Sequence, residues 1–120
     1  MNLKNVSLKY FLGACLVLPV FFSFGCTKEE TKALSPLEQQ GKAVFVTNCI
    51  ACHNPDPRMP GSVGPDIAGS SLELVTARVM HRSYPEGYKP KRTTQLMPEL
   101  PFLEKDIPAL HAYLNSFIKK

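Results

Sequence analysis

The chain has 120 residues, with 14 basic and 10 acidic side chains, a formal net charge of +4 and an apolar fraction of 44 %. A net charge this small, with no clustered basic face, gives no support to nucleic-acid binding. The length allows one small domain, whose core is modest enough that a disulfide, metal or cofactor commonly supplements it.

Lys4 and Lys9 precede an apolar run from Tyr10 to Gly25, after which the composition flips to TKEETK. A basic start, an apolar middle and small residues before a cut form the order of an export signal. A membrane-spanning helix wants about 20 predominantly apolar residues, whereas this run is shorter and carries Pro19 and Ser23. Residues 1–25 are therefore expected to be a signal peptide. The SFG before Cys26 resembles the lipobox of bacterial lipoproteins, although Ser23 stands where an aliphatic residue is usual. That resemblance implies acylation of Cys26 and an anchored position on the periplasmic side of a membrane; the alternative is a cysteine lost with the signal. Cleavage before Cys26 removes 25 of 120 residues, Lys4 and Lys9 among them, and leaves 95 residues with 12 basic against 10 acidic side chains. Residues 26–34 are polar enough to be a tether, and 35–120 are expected to form the domain.

Helix signals begin at Ser35. It can serve as N-cap, Pro36 suits the first helical position, and Glu38 completes a capping box, so a helix is predicted over about 36–48. Between Asn54 and Gly69 four prolines and three glycines mark an irregular loop. A second helix is predicted from Ser71 to about His81, opened by a capping box of Ser70 with Glu73, with Leu72, Val75 and Val79 along one face. SYPEGYKPKRTTQLMPELP is again broken by prolines. In the last segment Ile107, Leu110, Leu114 and Phe117 form one stripe, Pro108 is tolerable only in the first turn, and the cap position falls on Glu104. Lys119 and Lys120 complement the helix dipole at its end. No strand-like alternation stands out, so the fold class is all-α.

The chemistry is concentrated in TNCIACHNP. Cys49 and Cys52 stand two residues apart and His53 follows at once. Two thiols at that spacing reach both vinyl-derived carbons on one edge of a haem, while the adjacent histidine is carried under the iron; C-x-x-C-H is the attachment signature of c-type haem, and the histidine supplies the proximal ligand. Three rivals fit less well. A thiol–disulfide exchange motif belongs near a strand–helix–strand pattern, a structural zinc site needs four ligands at suitable spacing, and a plain disulfide leaves His53 without a task.

With these residues in view, the chain from about Leu37 to Phe117 resembles the class I cytochromes c, small all-helical domains of three or more helices wrapped around one covalent haem. GKAVFVTNCIACH resembles the first helix of that family, with Gly41 and Phe45 where it crosses the terminal helix. GPDIAG, residues 64–69, resembles the loop after the haem motif, which implies that the Pro65 carbonyl accepts a hydrogen bond from the haem histidine. LMPEL resembles the stretch holding a distal methionine, which implies Met97 as sixth ligand; His81 remains the alternative. IPALHAYLNSF resembles the closing helix, with Tyr113 at an aromatic position. Met59 and Met80 fit poorly as ligands, the first too close to His53 and the second expected to fill core.

The resemblance implies haem c as cofactor, with Cys49 and Cys52 as covalent links and His53 and Met97 as axial ligands. It implies an electron carrier with no catalysis of its own, redox proteins as donor and acceptor, and a lining drawn from Leu72, Val75, Val79, Leu96 and Leu100. Two alternatives stay open: a five-coordinate haem that binds ligands or reduces peroxide, and the haem-bearing subunit of a larger oxidoreductase. The basic, Tyr-bearing stretch SYPEGYKPKRTTQ is either a solvated loop or a segment at the haem rim, where it could donate to a propionate or dock an acidic partner.

Overall fold

The computed structural model describes residues 33–118. The expected signal peptide, Cys26, most of the tether and the two terminal lysines lie outside the described residues. Three α-helices, α1 (Pro36–Asn48), α2 (Leu72–His81) and α3 (Ile107–Asn115), are joined by irregular segments, with one 3-10 helix (Pro101–Asp106) before α3 and no strand among the described residues. Within that span no helix is long and apolar enough to cross a membrane.

The capping chemistry explains where the helices begin. Ser35 accepts from the Glu38 amide at 3.3 Å while its own amide donates to the Glu38 carboxylate at 2.6 Å, the reciprocal box expected for α1. Leu34, placed by its sequence in the tether, packs against the core instead. In α2 the cap is Ser71, which accepts from Leu74 N at 3.2 Å. Ser70, the residue expected to cap, donates its hydroxyl to Ile67 O and belongs to the preceding turn. The stretch before α3 departs from expectation in the same way. Glu104 sits inside the 3-10 helix, and Asp106 takes the cap position without a side-chain cap bond. Pro101 and Pro108 each stand in a first turn, where a missing N–H costs nothing.

The core lies where α1 crosses α3. Phe45 is completely buried, its ring 5.5 Å from that of Tyr113, which in turn meets Phe117 edge-on at 5.2 Å. Gly41 makes the crossing possible: a Cβ there would run into the Ala109 carbonyl and Tyr113 Cβ. Val75 and Val79 of α2, with Leu103, Ile107, Leu110 and Leu114, complete the cluster. Backbone bonds then tie loops to helices. Gly69 N donates to Leu114 O at 2.9 Å, Leu100 N to Val79 O at 2.8 Å, and the buried Pro57 carbonyl accepts from both Ile67 and Ala68.

Candidate functional site

Cys49 is the C-cap of α1, donating its N–H to Phe45 O at 2.9 Å. One further turn follows, in which the amides of Cys52 and His53 both donate to Cys49 O, at 3.1 and 2.9 Å. That turn brings both thiols and the imidazole to the wall of a single cleft, which Met97 also lines. With its open mouth and the solvent there included, the cleft encloses about 1130 Å³.

His53 is held by two neighbours in the loop after it. Its Nδ1 lies 2.9 Å from Pro65 O, as expected for Pro65. A carbonyl only accepts, so Nδ1 carries the proton and Nε2 keeps its lone pair for a metal. Gly64 lies directly against the ring, where a Cβ would overlap the imidazole atoms. In sequence the Gly64–Pro65 pair announces only a turn, and only the folded chain reveals what presses on the glycine. The loop is hooked back to the haem motif as well, for Val63 N and Gly64 N donate to Cys52 O at 3.3 and 2.9 Å.

Burial shapes the ionisation of these groups. It lowers the basicity of His53, partly offset by the bond to Pro65. Burial, with Cys52 as close neighbour, pushes the unattached Cys49 thiol up to about 11.

Four of the five expected apolar lining residues, Val75, Val79, Leu96 and Leu100, do border the cleft. Leu72 does not: it is half exposed at the first turn of α2 and borders a separate shallow depression with Met80 and His81. Met97 and His53 thus share a cleft that His81, exposed at the end of α2, does not enter. Met59 is exposed and Met80 packs against the core. The basic, Tyr-bearing stretch is not merely solvated, since Tyr84, Tyr88, Lys91 and Arg92 all border the cleft. The two tyrosine rings stack at 5.4 Å, and the Arg78 guanidinium lies 4.2 Å from the Tyr84 ring centre.

These residues fit a haem. Two thiols stand at one edge, an imidazole is fixed in the metal-binding tautomer, a methionine borders the same space, and the walls between are mainly aliphatic. Among curated proteins, no relative matches the chain. The family model for Cytochrome c matches residues 38–117, which spans all three helices and the cleft between them. The chain therefore belongs to the cytochrome c family, a haem-based electron-transfer protein with haem c bound covalently, for which Cys49 and Cys52 have the required spacing.

Proposed function

We propose that this protein is a mono-haem electron carrier with His53 and Met97 as axial ligands, exported and held at a membrane surface by a lipid on Cys26, with no substrate turnover of its own. The observation that carries the ligand assignment is the shared cleft: His53, locked by Pro65 with Nε2 available, and Met97 line one space, while His81 borders another. When bound, haem supplies a one-electron couple at its iron.

Each remaining task falls to the chain. Cys49 and Cys52 fix one edge of the macrocycle by thioether bonds. His53 would offer nitrogen and Met97 sulfur to the iron, a pair that would leave no position for oxygen or peroxide and, with methionine in place of a second histidine, would raise the potential. The Pro65 carbonyl fixes the imidazole orientation and raises its basicity as a ligand. Val75, Val79, Leu100 and their neighbours exclude water, so electron gain and loss require little reorganisation. Leu96 borders the cleft yet is 70 % exposed, which supplies an apolar lip for brief contact with redox partners.

NMR of the reduced, haem-loaded protein tests the ligands. A methionine methyl on the iron lies above the porphyrin ring and its resonance is driven far upfield, and Met97→Ala removes it. An upfield methyl that survives this substitution, or ready binding of cyanide or peroxide by the unmutated protein, sinks the assignment. Mass spectrometry of the mature chain tests the anchor: an unmodified Cys26, or a chain that begins beyond it, refutes acylation.

A further inference from the structure

We propose that Arg92 is a positioning residue for His53, and that its fixed charge raises the reduction potential of the haem iron. The inference rests on His53 being the proximal ligand.

Arg92 is half-buried and borders the cleft. Its guanidinium bridges two carbonyls of the loop that holds His53: Nη1 donates to Val63 O at 2.8 Å and Nη2 to Gly61 O at 3.1 Å. Its neighbour Lys91 continues the fastening, donating to Asp66 O at 3.0 Å and to the Asp66 carboxylate. The pair thus grips residues 61, 63 and 66. Between those points lie Gly64, whose backbone presses on the imidazole, and Pro65, whose carbonyl orients it. The grip comes from chain 29 and 31 residues away, so it is a tertiary strap laid over an irregular loop. A planar fork that spans two acceptors suits Arg and not Lys, whose ammonium is a single point on a flexible stem.

The charge has a second consequence. The Arg92 guanidinium is a fixed cation, and the two groups it bonds here are neutral carbonyls. Ferric iron carries one more positive charge than ferrous iron, so a fixed cation beside the proximal loop disfavours the oxidised state.

The test uses the haem-loaded full chain with Arg92→Gln and Arg92→Lys, read by redox titration and by amide hydrogen exchange. Arg92→Gln is expected to lower the ferrous-to-ferric ratio several-fold at the unmutated protein's midpoint, a tenfold change being 59 mV for one electron. It is also expected to speed exchange at the Val63 and Gly64 amides, which donate to Cys52 O. Arg92→Lys is expected to restore most of the potential while leaving exchange fast, because charge returns and the two-carbonyl bridge does not. Unchanged exchange in both variants overturns the positioning role; equal potentials in the Lys and Gln variants overturn the role of charge. Should the Gln variant fail to take up haem, the Lys variant alone decides, since exchange as slow as in the unmutated protein refutes the strap. Loss of the His53 assignment itself is distinguished beforehand, in the unmutated protein, by the absence of imidazole signals shifted by the iron.

Discussion

The α1–α3 crossing and the loop wall around His53 are built on opposite principles. At the crossing, Gly41 lets two backbones meet and Phe45, Leu110, Tyr113 and Leu114 fill the space with apolar surface. Around His53 the backbone of residues 61–66 is irregular and is fastened by polar bonds from Cys52, Arg92 and Lys91. Burial without direction makes the first region stable; directed bonds make the second accurate. The crossing keeps the chain folded, while the loop holds the His53 imidazole in one orientation.

The contrast predicts that substitutions at the crossing change stability with little effect on potential, whereas substitutions in the loop move the potential as well. The largest effect belongs to Phe45→Ala, which leaves a cavity in the fully buried centre and is expected to cost about 3–5 kcal/mol, read as a lower denaturation midpoint of the haem-loaded protein. Gly41→Ala forces a methyl into the Ala109 carbonyl and is expected to cost about 1–3 kcal/mol. A potential that shifts as strongly as stability in either variant breaks the division.

Gly64→Ala probes the other side. Its methyl must push the His53 ring off its bond to Pro65, so the potential and the iron-shifted imidazole resonances are expected to move with a stability loss of about 1–2 kcal/mol, at the low end of overpacking. An unaltered imidazole spectrum would show that the loop yields instead of the ring. Arg82→Gly sharpens the comparison from outside both regions. Arg82 ends α2 in the left-handed conformation at φ 50°, which a side chain resists and glycine accepts, so a gain of about 1 kcal/mol is expected with no change in potential.

The smallest effect concerns pH. The hydrogen bond from Lys91 holds the Asp66 carboxyl below its ordinary value of 3.8. A depressed folded-state pKa contributes stability that is complete above that ordinary value and is lost as pH falls through the folded one. The Asp66 side chain is 42 % exposed, so screening keeps the contribution small. Asp66→Asn is expected to flatten this acid limb in a stability–pH profile while leaving the neutral region nearly unchanged.

Local signals were legible wherever one short stretch carries its own physics. The Ser35–Glu38 box, the prolines in first turns, the Gly41–Phe45 pair and the Cys49–Cys52–His53 triplet each act within a few residues, and each stands where the sequence put it. The misses share the opposite property. Ser70 and Ser71 are adjacent hydroxyls with equal capping ability, and the choice fell to Ser71 because Ser70 is engaged by Ile67. Leu72 continues the apolar face of α2 in sequence, yet it borders the depression beside Ile107 and Pro108, while Leu74 of the same turn borders the cleft. Lys91 and Arg92 fitted either a solvated loop or a segment at the haem rim, and the choice rested on the loop carbonyls they grip.

What the sequence by itself determined was the haem chemistry and the helical framework, because thiol spacing, the histidine beside it, caps and apolar periodicity are encoded over one or two turns. Tertiary structure alone decided that Met97 shares the cleft with His53 while His81 does not, that Gly64 bears on the imidazole, and that Arg92 reaches two carbonyls far away in the chain. Those are meetings between residues about thirty or more positions apart, or contacts across a folded loop, and no local pattern records which distant groups a closed chain will bring within bonding distance.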